Sequence, residues 1–140
     1  DWALVKLERN VTGREVLTVS KSRLRGGHYI YVLGHPCGLP IKYAPGPFVR
    51  DESEQRFSAH LDIYSGNSGS PVFCRDTHEV VGMVVHGHSR DLRWVGRGYV
   101  SVVYPNPEFD SIPAKCTKVS AFRHYLPPFP LVPYQPEFIN

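Results

Sequence analysis

The sequence predicts an all-β fold, and three features support that prediction. The 140 residues contain 13 prolines and 12 glycines, a composition that favours short strands joined by turns over long helices. Apolar and β-branched residues occur in short runs separated by clusters of turn-forming residues. Only one short segment has apolar side chains at helical spacing. A chain of this length can form one modest domain with a core, but not two barrels.

The predicted strands follow one another along the chain. Residues 1–7 are mainly apolar and predict a mostly buried strand, and residues 8–27 predict a turn cluster, a short apolar run and a polar linker. Pro45 and Gly46 are expected to break the chain between two strands, and residues 75–78 to form a hairpin turn. Beyond the linker, the runs predicted to be strands are residues 28–34, 41–44, 47–50, 56–61, 71–74, 79–86 and 97–104.

The carboxy-terminal part is predicted to contain one helix and a proline-rich tail. In residues 119–126, the side chains of Val119, Phe122 and Leu126 lie on one helical face, which can pack against the strands. Residues 127–140 include five prolines among fourteen residues, which excludes a helix or a central strand there.

Charge and cysteine content narrow the function classes. The formal net charge is +3, and the arginines are scattered among turns, so we expect no nucleic-acid partner. No apolar run is long enough to span a bilayer, and neither a membrane partner nor a metal or cofactor is expected.

The three cysteines, Cys37, Cys74 and Cys116, cannot all pair within one chain. One disulfide with one free thiol, or three reduced thiols, are both compatible with the sequence.

A serine framed by glycines is the most informative motif. Ser68 follows Gly66 and Asn67 and precedes Gly69, directly before an apolar run, and the glycines free the backbone to turn tightly around one hydroxyl. The amides of Gly66 and Ser68 would then converge and stabilise a developing oxyanion. Serine attacks an acyl carbon only when a base takes its proton. The motif therefore predicts acyl-transfer chemistry that also needs a histidine.

A family resemblance extends this interpretation. Residues 66–73, Gly-Asn-Ser-Gly-Ser-Pro-Val-Phe, resemble the nucleophile loop of trypsin-like serine peptidases, especially the branch that includes glutamyl endopeptidases. Residues 1–7 look like the aspartate strand of that family, and residues 34–42 and 80–87 are similar to parts of its second barrel.

The resemblance implies a domain organisation. Residues 23–118 would form the second antiparallel six-stranded barrel of a chymotrypsin-like double barrel, and residues 1–22 the last strand or strands of the first barrel and a linker. Residues 119–126 would be the carboxy-terminal helix, and residues 127–140 the tail.

The resemblance also implies catalytic roles. Ser68 would be the nucleophile, the amides of Gly66 and Ser68 the oxyanion hole, and Asp1 the carboxylate that orients a histidine and stabilises its imidazolium. Without Ser68, an exposed carboxylate would be the simpler interpretation of Asp1. The family's histidine precedes the aspartate, and none of the seven histidines in this sequence occupies that place. We therefore expect a companion amino-terminal segment or chain to supply the base.

The same alignment predicts a substrate pocket. Asp62 lies six residues before Ser68, where an acid at the pocket base selects Lys or Arg in the substrate by a charge-assisted pair. Alternatively, Asp62 accepts hydrogen bonds from its own loop. Residues 85–87, Val85, His86 and Gly87, are expected to border the cleft and pair with the substrate backbone, and Gly87 and Gly98 to leave room for a long side chain. His86 supports an alternative glutamyl specificity, although Val84 stands where the family's acid-reading histidine would lie.

Two functions from different classes fit these residues. The first is a serine endopeptidase that acts on protein or peptide substrates through an acyl-enzyme. The second is a pseudopeptidase or peptide-binding module without activity, which would not need a strained serine loop. Asn67 is neutral and cannot form the ion pair with a new amino terminus that activates trypsin, so we expect a different form of regulation.

Overall fold

The computed structural model describes residues 1–87, 92–102 and 113–126. The strands in this part of the chain are β1 Tyr29–Gly34, β2 Lys42–Asp51, β3 Arg56–Ala59, β4 Pro71–Cys74, β5 Val80–His86, β6 Leu92–Trp94, β7 Tyr99–Ser101 and β8 Ala114–Lys118. Six of them form a closed antiparallel barrel in the order β1-β2-β3-β8-β5-β4, and β6 and β7 form a separate hairpin. The predicted six-stranded barrel is confirmed.

The barrel encloses one apolar core. Successive side chains of a strand point to opposite faces of the sheet, so that Ile30 and Val32 of β1, and Phe57 and Ala59 of β3, are all completely buried. Removing such apolar surface from water stabilises the fold by about 25 cal/mol per Å². The buried members of the core are Ile30, Val32, Ala44, Phe57, Ala59, Ile63, Val72, Cys74, Val81, Val84, Ala114 and Cys116.

Strand β2 is longer than the sequence predicts. Instead of breaking at Pro45 and Gly46, it runs without interruption from Lys42 to Asp51. Residues 42–46 pair with β1 alone, so this part of β2 has an unpaired side on which the missing N–H of a proline loses no ladder hydrogen bond. At Pro47 the carbonyl accepts from the His60 amide at 3.3 Å. Gly46 passes so close to the carbonyl oxygen of His60 that a Cβ would clash with it.

The strand predicted over residues 1–7 is not formed. Residues 1–18 are exposed, and the first strand-like pairing is a single parallel bridge between Val19 and Val80. Within the described part of the chain, no main-chain group is hydrogen-bonded to the main chain of residues 1–17. A strand exists only beside a partner that satisfies its N–H and C=O groups, which explains why an apolar sequence is insufficient here.

The sixth barrel strand is β8, which the sequence does not predict. Residues 114–118 pair with β3 on one side and with β5 on the other, and so close the barrel. Of the strand predicted over residues 97–104, the described part contains β7, which belongs to the hairpin outside the barrel. Residues 103 and 104 lie outside the described residues.

The helix predicted over residues 119–126 is wrong. Two 3₁₀ turns, Val119–Ala121 and Arg123–Tyr125, take its place. Isolated helices shorter than about 12 residues are marginal in water, and Leu126 is extended, with ψ of 138°, as expected for a residue before a proline. The predicted tail, residues 127–140, lies outside the described residues.

The two 3₁₀ turns pack on the outside of the barrel. Val119 is buried in a second apolar cluster with Tyr31, Phe73 and Val80, and Phe122 packs against that cluster. The rings of Tyr31 and Phe73 stack with centroids 5.0 Å apart. Burial, reinforced by nearby Tyr43 and Cys74, raises the pKa of the Tyr31 hydroxyl. The turns therefore keep part of the apolar face predicted for the helix.

The three cysteines are free thiols. Cys37 is exposed, whereas Cys74 and Cys116 are buried. Burial, with a smaller contribution from Glu52, raises the pKa of the Cys116 thiol to about 12, so this thiol stays protonated and unreactive near neutral pH. The described residues contain no cluster of three or more His, Cys, Asp or Glu side chains suited to a metal ion. No helix among them is long and apolar enough to cross a membrane.

Candidate active site

Ser68 lies on an exposed turn that is attached to strand β5. Its hydroxyl donates a hydrogen bond of 3.3 Å to the main-chain carbonyl of Val85. On either side of the turn, the amide of Gly69 donates to the carbonyl of Val84 at 2.8 Å, and the amide of Val84 donates to the carbonyl of Ser70 at 3.0 Å. The turn that carries the candidate nucleophile is therefore fixed by hydrogen bonds to Val84 and Val85, near the end of β5.

The two glycines of this loop have the conformation that the sequence predicts. Gly66 has φ of 98° and Gly69 has φ of 85°, both in the region that side chains with a Cβ avoid. Between them, Asn67 is buried, and both its main-chain N–H and its side-chain amide donate to the carbonyl of Tyr64 at 3.1 Å. The Asn67 side chain thus braces its own loop.

The amides of Gly66 and Ser68 have no main-chain acceptor among the described residues. Their neighbours in the loop, Asn67, Gly69 and Ser70, all donate to main-chain carbonyls. Exposed N–H groups with no internal partner are available to a ligand oxygen. These are the two donors that the sequence predicts for an oxyanion.

A second loop supports the serine loop. The amide of Cys37, a residue with positive φ, donates to the carbonyl of Ser65 at 2.6 Å. A Cβ built on Gly66 would lie 3.0 Å from the His35 carbonyl and 3.1 Å from the Cys37 nitrogen. The two loops therefore touch main chain to main chain at the candidate oxyanion site, and Gly66 is needed for that close approach as well as for its φ.

Gly34, at the end of β1, is a further part of the site that sequence reasoning missed. A Cβ at this position would collide with the Oδ1 atom of Asn67 and the Oγ atom of Ser70. A glycine that ends an apolar strand is a signal of close backbone approach, but the sequence does not reveal what approaches it. Gly34 therefore lets the serine loop pack directly against the barrel.

We expect Gly34→Ala to destabilise the protein by about 1–3 kcal/mol, because an overpacked site must shift its neighbours, and to lower turnover by displacing Asn67. Urea unfolding and steady-state kinetics measure the two effects. Gly26→Ala is the matched control, since a Cβ there meets no atom within 4 Å. A Gly34→Ala protein as stable and active as the control would contradict this packing.

Asp1 shares no described contact with Ser68, and it is attached to β8 instead of β5. Its main-chain carbonyl accepts a hydrogen bond of 3.4 Å from the Thr117 hydroxyl, and Thr117 pairs with Met83, two residues before Val85. Next to it, the Trp2 ring lies 5.3 Å from that of Tyr125. The start of residues 1–22 thus rests on β8 and the 3₁₀ turns.

No histidine accepts the hydrogen bond of the Ser68 hydroxyl, which goes to a main-chain carbonyl. Several histidines are engaged elsewhere: His28 accepts from the Arg25 amide, His35 donates to the Leu39 carbonyl, His78 is hydrogen-bonded to the Tyr31 hydroxyl, and His124 lies against the Tyr125 ring. His60 is partly buried and His86 is exposed, and His88 lies outside the described residues.

The predicted pocket residues are only partly brought together. Val85 contacts Ser68, as above, and Gly87 lies against Ile63, with a built Cβ 3.3 Å from the Ile63 side chain. Asp62 is exposed, and among the described residues it accepts no hydrogen bond from its own loop. Ile63, which the sequence analysis did not single out, is 3% exposed and belongs to the barrel core.

Two other predicted pocket residues are placed differently from Val85. His86 ends β5, where it is paired with Lys115 of β8. Gly98 is in the turn of the β6–β7 hairpin, where its carbonyl accepts from the Val95 amide and a Cβ would meet open space. The described contacts do not join Gly98 to Gly87 or Ser68.

Comparisons with known proteins identify the family and the fold of the chain. Residues 1–83 match the family model of the trypsin-like peptidase domain. In structure, the chain is similar to Rv3671c from Mycobacterium tuberculosis H37Rv, solved as a serine-to-alanine mutant in an inactive form, with a TM-score of 0.57 and 13% sequence identity. The match covers 80% of this chain and 52% of the other, so the chain spans about half the length of that structure. No curated protein matches the chain in sequence. The likeness confirms a chymotrypsin-like fold.

Proposed function

The chain belongs to the trypsin-like peptidase family, and on that premise we propose that it is a serine endopeptidase that cleaves peptide bonds through an acyl-enzyme on Ser68. One observation carries the proposal. The Ser68 hydroxyl is exposed on a glycine-framed turn, beside two amides with no main-chain acceptor among the described residues. Acyl transfer requires a nucleophile and hydrogen-bond donors for an oxyanion, and this one short loop carries both kinds of group, which supports the proposal.

The proposed reaction proceeds in two steps. A base takes the proton of Ser68 as its oxygen attacks the peptide carbonyl, and the resulting oxyanion accepts hydrogen bonds from the amides of Gly66 and Ser68. The protonated base then donates its proton to the leaving amine. Water, activated by the same base, hydrolyses the acyl-enzyme and regenerates Ser68.

The base is proposed to be a histidine outside residues 1–140, on a companion amino-terminal segment or chain. The Ser68 hydroxyl donates to the Val85 carbonyl and not to a described histidine, and the hydrogen bonds of His28, His35 and His78 are made to other groups. Asp1 is proposed to orient that histidine. The companion would also provide strand partners for the exposed residues 1–17.

For specificity, we infer cleavage after Lys or Arg, with Asp62 as the recognising carboxylate. Asp62 is exposed and forms no ion pair with a described residue, so its charge is available to a substrate cation. The glutamyl alternative has less support. The family's acid-reading histidine would lie at the position of Val84, and Val84 is a buried residue of the core. The glutamyl alternative would therefore have to use His86, which is exposed at the end of β5.

The experiment is a peptide-library digest with the full-length protein and any companion chain. Cleavage after Lys or Arg is expected, and Asp62→Asn should lower kcat/KM for such substrates by about tenfold or more, because a charge-assisted hydrogen bond is lost. Glu54→Gln, at another exposed carboxylate, should leave kcat/KM unchanged. Cleavage after acidic residues would favour the glutamyl specificity. Retained peptide binding without any cleavage would favour the pseudopeptidase.

A further inference from the structure

We propose that the β6–β7 hairpin, residues 92–101, is an exosite that binds an acidic stretch containing aromatic residues in the protein substrate, away from the bond that is cut. The exosite consists of a pair of exposed aromatic rings and Arg97, in the turn between them, on one short hairpin that is close along the chain to the end of β5. Naming the partner as the substrate rests on the proposed function. The binding chemistry does not.

The hairpin presents a large aromatic surface to solvent. Trp94 and Tyr99 are paired across the two strands, and their rings meet edge to face with centroids 5.2 Å apart. They are nevertheless 61% and 69% exposed. Leu92 and Val100 of the same strands are also exposed. Aromatic side chains of this size normally lie in a core or an interface.

The charge of the hairpin has one sign. Residues 92–102 include Arg93 and Arg97 but no Asp or Glu. Neither arginine forms an ion pair with a described residue. By contrast, Arg23 and Lys118, near the β2–β3 turn, both pair with Asp51. Arg93 precedes Trp94 on β6 and therefore lies on the opposite face of the hairpin, whereas Arg97 lies in the turn that the Trp94–Tyr99 pair closes. The Arg97 guanidinium is therefore the charge that a carboxylate-bearing partner on the aromatic face would contact.

The hairpin cannot lie far from the candidate cleft. Gly87 directly follows β5 and lies two residues after Val85, whose carbonyl accepts from Ser68. Leu92, the first residue of the hairpin, is five residues further along the chain. Five residues span at most about 17 Å even when fully extended. A substrate held at Ser68 therefore reaches the hairpin with a few residues of extended chain, which favours the substrate as the occupant.

The expected partner follows from these side chains. Carboxylates form charge-assisted, often bidentate, hydrogen bonds with arginine, and aromatic rings add offset or edge contacts with Trp94 and Tyr99. Trp, Tyr and Arg are the residue types that contribute most to binding at protein interfaces. A two-stranded hairpin is only marginally stable alone, so burial of its aromatic face by a partner would also order it.

The test is a direct binding measurement on the full-length protein, by fluorescence anisotropy of a labelled peptide rich in glutamate and tyrosine. We expect binding that weakens as the salt concentration rises. It should weaken about two- to fivefold in Arg97→Gln, as expected for one exposed charge contact, and also in Trp94→Ala. Arg93→Gln removes the same charge from the opposite face of the hairpin and should bind like the wild type.

Three results would overturn the proposal. One is equal affinity for a peptide in which lysine replaces glutamate, and another is equal weakening in the Arg93→Gln control. The third is hairpin-dependent binding to phosphatidylserine vesicles without binding of the peptide, which would make the hairpin a membrane contact. Because binding is measured without catalysis, an inactive protein that binds the peptide would contradict the proposed peptidase, whereas the binding of an acidic peptide by the hairpin would still stand.

Discussion

Ser68→Ala is expected to lower kcat by roughly 10⁴-fold or more, because removal of the nucleophile leaves only substrate binding and the oxyanion donors. The Gly66 and Ser68 amides are main-chain groups, so the variant keeps both. KM should therefore change much less than kcat. Steady-state hydrolysis of a peptide substrate by the full-length protein, with any companion chain present, measures both constants.

The control for that loss is Ser65→Ala in the same loop. The Ser65 main-chain carbonyl accepts from Cys37, and the substitution keeps that carbonyl. Its exposed side chain should therefore be dispensable. Both variants should unfold within about 0.5 kcal/mol of the wild type, as surface substitutions usually do. A Ser68→Ala protein that retains turnover would assign the chemistry to another residue.

Phe57→Ala is expected to lower the free energy of unfolding by about 3–5 kcal/mol, since a buried ring leaves a cavity that its surroundings fill only partly. Phe57 is completely buried in β3. Its ring lies so close to Gly82 of β5 that a Cβ on Gly82 would come within 2.6 Å of it. In the barrel, β3 and β5 are the two neighbours of β8. The Phe57 ring therefore spans the core from β3 to β5.

Urea unfolding, followed by tryptophan fluorescence, measures this loss. Phe57→Leu keeps most of the buried apolar surface and should be less destabilised than Phe57→Ala. The dependence of the free energy on urea concentration should be the same in all three proteins if the unfolded states are alike. Equal stability of Phe57→Ala and the wild type would contradict the closed core described for the barrel.

The strands that the sequence predicts correctly are those with strong local signals. Residues 71–74 and 80–86 are apolar runs flanking a turn, and the turn contains His78 with φ of 57°. Strand β8 has no comparable signal, because three of its residues, Lys115, Thr117 and Lys118, are polar. It is a strand because β3 and β5 bond to it from both sides. Such pairing depends on residues distant in the sequence.

The candidate site likewise has some features that the sequence predicts and others that it does not. The φ angles of Gly66 and Gly69 follow from the motif around Ser68, since a tight turn there requires glycine. The packing of Gly34 against that loop, and the contact of Asp1 with Thr117, join residues that are far apart in the chain. No local pattern encodes such contacts, so the sequence alone could not predict them.

The exposed state of residues 1–17 has the same cause. Their apolar residues predict a strand, but a strand needs a neighbouring backbone, and the described part of the chain provides none. Local preference is overridden by the absence of a partner. The helix predicted over residues 119–126 fails for a related reason. The segment is too short to stay helical unless it packs extensively against other elements.

The most direct test of the central claim, that Ser68 is the nucleophile, is labelling of the full-length protein and any companion chain with a fluorophosphonate probe. The wild type should be labelled, with the adduct located on Ser68 by mass spectrometry, and Ser68→Ala should not be labelled. Absence of labelling in the wild type, or equal labelling of the two proteins, would contradict the claim.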